Sequence, residues 1–309
     1  MFNEINVRKI VQYLLVTMCV GFGIGFMILF STGGISAIFD PDPTNSQKII
    51  EEKFGEIEGI EEVEIKVSGA DISTDINVVP AEREEVRVLL SGVFNTKKPE
   101  LQMYSDGSTL HVKVKAANGC NFLLSNSNLV LDIQIPGSYT NKLKIISTSG
   151  DVTIKQLKLK NLAFDLSSGD ATFKDLTVDR IEYKCSSGDL NGDNITTKST
   201  VLHTSSGDIM MKKFSGDLKA DDSSGDIKVQ YETFKNSVNI NTSSGNVELS
   251  LPGNSEFGLN ASVSSGDIEC KFPIIVTGEY KENKLQGVVG KDNNKINIEI
   301  SSGDIRIID

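Results

Sequence analysis

Apolar residues recur at fixed distances from a repeated Ser-Gly-Asp motif in the C-terminal half of the chain. The full motif is Ser/Thr-Ser-Gly-Asp/Asn, and its glycine stands at Gly150, Gly169, Gly188, Gly207, Gly225, Gly245, Gly266 and Gly303. Successive glycines are 18–21 residues apart, except for a last step of 37. A fixed period of this length is typical of stacked repeats, and the long last step indicates that an insertion replaces one coil.

Positions seven, five and three before the glycine, and two and four after it, are mostly apolar, whereas the positions between them are mostly polar. In one repeat the apolar residues are Leu162, Phe164, Leu166, Ala171 and Phe173. Alternation with a period of two predicts β-strands with one buried face. Five residues separate the two apolar sets, so a straight strand would put them on opposite faces, and the chain must bend at the motif.

A further apolar position, seven residues after the glycine, predicts a second corner in each coil. Its occupants are Leu157, Leu176, Ile195 and Phe214. The predicted fold class is therefore all-β, a parallel β-solenoid or β-helix, with right-handed winding as the default for parallel connections. A stack of antiparallel hairpins, with the motif as the turn, is the alternative.

Less regular strand patterns flank the repeats. Val63–Asp71 resembles a degenerate first coil, and three further strands are predicted at Val86–Leu90, Leu110–Lys115 and Leu129–Ile135. Ile274–Val289 resembles a hairpin near a C-terminal cap, which would protect an exposed sheet edge.

The N-terminal region predicts a membrane anchor. Residues 10–30 carry no formal charge and are mostly apolar, and a helix of that length spans roughly 30 Å, the thickness of the hydrocarbon core. Arg8 and Lys9 precede this segment, which places the N-terminus in the cytoplasm and the bulk of the chain outside. The small residues at 31–36 leave a cleaved signal peptide as the alternative.

The anchor also contains Gly21 and Gly25, a spacing that could support a homodimer through this helix. After the anchor, residues 47–61 have apolar residues near helical spacing and predict a short amphipathic helix. The predicted division of the chain is a cytoplasmic tail (1–9), a single-pass anchor (10–31), a linker with this helix (32–60), an irregular β section (61–140) and the repeat solenoid (141–309).

Composition narrows the possible functions. The formal net charge is −11, which disfavours binding to nucleic acid. The four cysteines, at positions 19, 120, 185 and 270, have no CxxC spacing and suggest neither a zinc site nor a redox pair. Three of them would lie outside the cell, an odd number that argues against a disulfide framework.

The repeated aspartates are the strongest candidates for chemistry. They are Asp151, Asp170, Asp189, Asp208, Asp226, Asp267 and Asp304, with Asn246 at the remaining position. We expect each to accept hydrogen bonds from corner amides, together with neighbouring hydroxyls such as those of Ser168 and Ser187. A row of calcium sites and a glycan-cleaving carboxylate pair are the alternatives.

No catalytic, cofactor-binding or metal-binding residue is assigned from the sequence. His111 lies on the same strand face as Lys113, and His203 lies in an outward position beside the motif at 205–208. Both are interpreted as solvent-facing residues, and no hydrolase, metalloprotease or phosphate-loop motif occurs. We expect a protein without enzymatic activity or cofactor.

The predicted anchor, the opening VEIKVSGADI and the repeated SSGDI strands together resemble the bacterial "putative adhesin" β-strand-repeat family, which includes LiaG-like membrane-anchored proteins of envelope-stress operons. The resemblance implies a cell-surface interaction scaffold whose partner is a protein or a cell-wall polymer. An accessory or sensor protein of the envelope stress response is the alternative function, and a structural spacer is a third.

Overall fold

The computed structural model of the protein describes residues 47–69, 73–94, 98–115, 127–277, 281 and 283–309. Every regular secondary-structure element within these ranges is a β-strand, which confirms the all-β prediction. The strands are β1 (Gln47–Glu56), β2 (Glu62–Ser68), β3 (Ser73–Ala81), β4 (Glu85–Phe94), β5 (Glu100–Asp106), β6 (Thr109–Lys115), β7 (Asn128–Pro136), β8 (Lys142–Ser147), β9 (Val152–Lys155), β10 (Lys158–Ser168), β11 (Ala171–Ser187), β12 (Leu190–Thr204), β13 (Ile209–Ser224), β14 (Ile227–Tyr231), β15 (Val238–Ser244), β16 (Val247–Ser250), β17 (Phe257–Ser265), β18 (Ile268–Cys270), β19 (Ile275–Val276), β20 (Lys284–Val289), β21 (Lys295–Ser302) and β22 (Ile305–Ile308).

The repeats stack as parallel coils, as predicted, and not as antiparallel hairpins. Strands that lead into the Ser-Gly-Asp corner form column A, in the spatial order β6, β2, β8, β10, β11, β12, β13, β15, β21, β17. Strands that leave the corner form column B, in the order β7, β3, β9, β11, β12, β13, β14, β16, β22, β18. The long strands β11, β12 and β13 bend and contribute to both columns.

The predicted inward positions line a common interior. Leu162 pairs with Ile181 in the next coil, and both side chains are 1% exposed. The position two after the glycine is buried in the same way, except that Ile268 on the last coil is partly exposed. Aromatic rings also pack in the interior, where successive edge-to-face contacts join Phe214, Tyr231, Phe234, Phe257 and Phe272. Burial of these rows is the main source of stability for the stack.

The second corner predicted from the sequence is also present. Leu157, Leu176, Ile195 and Phe214 are all buried. The residue before each of them has a left-handed backbone conformation, with φ between 50° and 59°, although none is glycine: Gln156, Asp175, Asn194 and Lys213. In each of these coils the chain therefore turns at a glycine and turns again at a left-handed polar residue.

The coils at both ends are not stacked in chain order. At the C-terminal end, β21 and β22 lie between the coil of β15 and β16 and the coil of β17 and β18. At the N-terminal end, β2 lies between β6 and β8. The long last step of the repeat contains an insertion in place of one coil, as predicted. It contains the predicted hairpin, formed by β19 and β20, which pairs with β17 before the chain returns to insert its last coil.

The predicted helix at 47–61 is wrong, because this segment contains β1, which pairs antiparallel with β4 along its whole length. Ile49 is buried against the core, whereas Ile50 and Phe54 point outward. The strand predictions at 86–90, 110–115 and 129–135 are confirmed as parts of β4, β6 and β7. The predicted anchor at 10–31 lies outside the described residues, and none of the described segments forms a helix able to cross a membrane.

Candidate functional site

The Ser-Gly-Asp corner brings the backbones of successive coils very close together. The corner glycines have φ between 100° and 150°, a region that side chains other than glycine rarely adopt. A Cβ atom at Gly207 would overlap the carbonyl oxygen of Gly188 in the coil below it, and the same overlap recurs along the row. The glycine N–H donates to the serine carbonyl of the next coil, as Gly188 does to Ser206 at 3.1 Å.

The aspartates form a continuous ladder along this corner. The Oδ1 atom of every aspartate except Asp267, which ends the row, accepts a hydrogen bond from the backbone N–H of the equivalent residue in the next coil, at 2.8–3.1 Å. Asn246 takes its place in the ladder, because its amide oxygen accepts from the N–H of Asp304 and its own N–H donates to Asp226. The expected bond from carboxylate to corner amide is confirmed, but it links two coils.

The ladder starts at a residue that the motif did not indicate. Asp151 donates its N–H to Asp75 Oδ1 at 3.1 Å, and Thr74 lies where the next coil has Gly150. The sequence pattern predicted the first corner at the SGAD of residues 68–71. The connection from β2 to β3 is four residues longer than the equivalent connection from β8 to β9, so the corner of this coil lies at Thr74 and Asp75 instead.

The serine hydroxyls do not join the ladder in the way predicted. Ser168 donates its hydroxyl to the carbonyl of Thr148, in the preceding coil, at 3.1 Å. Ser187 contributes its carbonyl, which accepts from the N–H of Gly169. Across the described ranges, no group of three or more His, Cys, Asp or Glu side chains is arranged to hold a metal ion. The ladder is therefore a device that satisfies corner amides between coils.

The two histidines differ in environment. His203 is exposed, as predicted, and its Nδ1 atom lies 3.4 Å from Asp221. His111 is not solvent-facing: its side chain is only 17% exposed, its Nδ1 atom lies 3.1 Å from Glu64, and its ring packs on Tyr104. Burial acts to raise the pKa of Glu64, but Lys144 and then His111 outweigh it, so the pKa of Glu64 is lowered.

A buried carboxylate occupies the interior row three residues before the glycine. Asp222 is 8% exposed and accepts hydrogen bonds from the hydroxyls of Thr204, at 2.5 Å, and Thr242, at 3.3 Å. Sequence reasoning missed this group because it considered only the apolar members of the row, such as Leu166 and Cys185. Asp222 stands three residues before Gly225, at a position that points inward in the other repeats, and this spacing could have revealed it.

A polar groove opens beside this row, where Lys281, Asn283 and Lys284 lie next to column A. Its volume is about 670 Å³, and its lining includes Asp221, Asn241, Ser243, Ser262, Lys281, Lys284, Glu299 and Ser301. Burial acts to raise the pKa of Asp221, but the hydrogen bond from Asn241 and the ion pair with Lys219 outweigh it and lower that pKa. The groove thus combines carboxylates, amides and hydroxyls from four neighbouring column A strands with the ammonium groups of Lys281 and Lys284, and few of its side chains are apolar.

These features define an all-β protein of stacked parallel coils whose repeated motif serves the stack itself. Residues 60–308 match the family model for Toastrack DUF4097, and the chain belongs to that family. A comparison with proteins of curated function finds no match.

Several solved structures are similar to the chain. One is a "putative cell adhesion protein" from Clostridium sporogenes, with 15% identity, a TM-score of 0.27, and coverage of 84% of this chain and 99% of the other. A second is a "putative adhesin" from Bacteroides fragilis, with 10% identity, a TM-score of 0.42, and coverage of 87% and 99%. A third is a "putative lipid binding protein" from Parabacteroides distasonis, with 14% identity, a TM-score of 0.40, and coverage of 86% and 98%.

Proposed function

We propose that this protein is a membrane-anchored, extracytoplasmic interaction scaffold that binds a hydroxyl-rich polymer of the cell wall and catalyses no reaction. The polar groove beside column A is the observation that carries the proposal. In this arrangement the helix predicted at residues 10–31 holds the stack at the membrane, and the groove faces the cell-wall layer.

The chemistry of the groove favours a hydroxylated ligand over an apolar one. Asn241 supplies an amide, Ser243 and Ser301 supply hydroxyls, and Glu299 and Lys284 supply charges of opposite sign. Such groups can donate and accept hydrogen bonds in alternation, as the hydroxyls of a polysaccharide do. Neighbouring coils repeat about every 4.8 Å, so they present these groups in rows along which an extended chain can lie.

The rigidity of the stack supports this role. The groove side chains of column A stand on strands with parallel neighbours. The ion pair between Asp221 and Lys219 and the hydrogen bond from Asn241 to Asp221 hold one wall in place. A site whose polar groups are already oriented loses less conformational entropy when it binds.

The proposal is tested by filling the groove. In the full chain in detergent micelles, Ser243→Trp should weaken co-sedimentation with purified bacterial cell walls by about tenfold, because the indole occupies space that the ligand needs. Ser186 occupies the equivalent position, two residues before the corner glycine, in a coil outside the groove, and both serines are exposed. Ser186→Trp is therefore the matched control and should leave binding unchanged. Equal binding by both variants, or no binding by the parent chain, would refute the proposal.

A further inference from the structure

Strand β1 is an end strand of the described sheet with an exposed apolar surface. Its hydrogen-bonded neighbour among the described strands is β4, on one side. Ile50 is 81% exposed and Phe54 is 50% exposed, and both lie on the outward face of this ten-residue strand. Proteins usually shorten, bend or cover such an edge, because its unpaired backbone groups can recruit another strand.

The sequence of β1 is complementary to itself in one antiparallel register. If two copies of the strand meet with Glu52 at the centre, the opposed pairs are Lys48 with Glu56, Ile50 with Phe54, and Glu51 with Lys53. The two Glu52 carboxylates then face each other, and each is already paired with Arg87 of its own β4. Unlike charges and apolar side chains directly opposite each other stabilise an antiparallel pair.

Neighbouring registers lack this complementarity. With the centre at residue 51, Ile50 faces Glu52 and Lys48 faces Phe54. With the centre at residue 53, Ile50 faces Glu56, and the partner of Lys48 lies beyond the end of β1. The match therefore specifies one arrangement, in which the same surface of each molecule contacts its symmetry mate around a twofold axis.

We propose that β1 pairs with β1 of a second copy of this chain, so that two stacks join end to end through a continuous column B sheet. The charge pattern of β1 and its exposed apolar pair favour a second copy over a lipid surface, because Glu51, Glu52 and Glu56 would repel an anionic bilayer. This contact is separate from the glycine pair at 21 and 25 and from the polar groove.

Disulfide formation tests the register in the full chain in detergent micelles. With Glu52→Cys, the two introduced thiols lie directly opposite each other, with Cα atoms about 4.5–5.5 Å apart, which suits a disulfide. Mild oxidation should therefore give a covalent dimer in high yield. The Lys48→Cys thiols would be eight residues apart along the paired strands, about 26 Å, and should stay at the background of the parent chain with its four native cysteines. Equal yields for the two variants, or no dimer for Glu52→Cys, would overturn the proposal.

Charge exchange provides an independent test by sedimentation velocity. Lys48→Glu places like charges opposite each other twice in the dimer and should weaken association by about tenfold. Adding Glu56→Lys to the same chain restores both pairs and should restore association. Both residues are exposed, and unchanged thermal melting will show that the variants fold. A double variant that associates no better than Lys48→Glu would refute the register. Protection of a spin label at residue 52 by the bilayer would instead identify a membrane surface and also refute it.

Discussion

At the scale of single residues, four successive coils turn at two chemically different corners. The first needs glycine, because the next coil passes so close that a Cβ atom would meet its backbone. The second tolerates side chains, as the left-handed conformations of Gln156, Asp175, Asn194 and Lys213 show. Asparagine and aspartate adopt this conformation more readily than most residues do, whereas the occurrence of lysine and glutamine shows that packing of the next buried residue compensates for backbone strain.

Replacement of a corner glycine should therefore destabilise the protein strongly. Gly207→Ala combines an unfavourable φ of 126° with overlap onto the backbone of Gly188, and we expect a loss of about 2–5 kcal/mol in the free energy of unfolding. Gly192→Ala is the control, because its Cβ would lie 3.4 Å from the side chains of Ile195 and Met211 and its φ is outside the left-handed region. It should leave stability unchanged or raise it by up to ~1 kcal/mol. Denaturant titrations will measure both, and similar losses in the two variants would contradict the argument.

At the scale of elements, the ends of the stack are closed by strands that arrive out of order. The coil of β17 and β18 has β21 and β22 as its parallel neighbours, and these belong to the last coil in the sequence. The same last coil also pairs with β15 and β16. Removal of the last coil consequently separates two parts of the sheet, whereas removal of a peripheral strand would not.

A truncation tests this dependence. Deletion of residues 291–309 should cause the amides of β17 and β20 to lose most of their protection from hydrogen exchange, because their coil no longer has a parallel neighbour. Deletion of residues 47–56 removes β1, whose neighbour among the described strands is β4 at the opposite end of the stack, and should leave that protection intact. Hydrogen-exchange mass spectrometry will distinguish the two chains. Retained protection in the first deletion would show that β17 and β20 hold together without the inserted coil.

At the scale of the whole molecule, the hydrogen bonds of the aspartate ladder and the net charge of −11 have opposite effects on the stability of the stack. Each ladder bond joins two coils, so together they connect the stack from Asp75 to Asp267. The stacked carboxylates also repel one another, and that repulsion is screened by salt. The ladder therefore contributes hydrogen bonds to corner amides while adding to the acidic repulsion of the molecule.

Thermal stability should follow ionic strength and not a particular cation. We expect Tm to rise with NaCl, to rise by the same amount with CaCl₂ at equal ionic strength, and to remain unchanged by chelator in fixed salt. The physical reason is that the Oδ1 atoms of the ladder already accept amide hydrogen bonds. Differential scanning calorimetry will measure this. A larger increase with CaCl₂, together with calcium uptake in equilibrium dialysis, would show that the aspartates bind the ion.

Much of the repeat region could be predicted because its information is local. The alternation around each glycine identified the buried face, and the odd number of residues across the motif required a bend, which Leu162 and Ala171 confirm by their burial on the same interior. The hairpin at the C-terminal end was likewise evident from its own residues. The helix predicted at residues 47–61 was wrong because Ile49 packs against the core within a strand paired to β4, a contact that local spacing does not encode.

The candidate groove could not be predicted, since its walls come from residues far apart in the sequence. Ser243, Ser262, Lys284 and Glu299 line one opening only because the last coil inserts between two earlier ones. The sequence by itself determined the coil: its period, its buried rows and its glycine corner, all of which depend on backbone geometry within about twenty residues. The tertiary structure alone decided the order of the coils, because parallel strands with equivalent buried rows can stack in several orders and only the packing of the connections selects one.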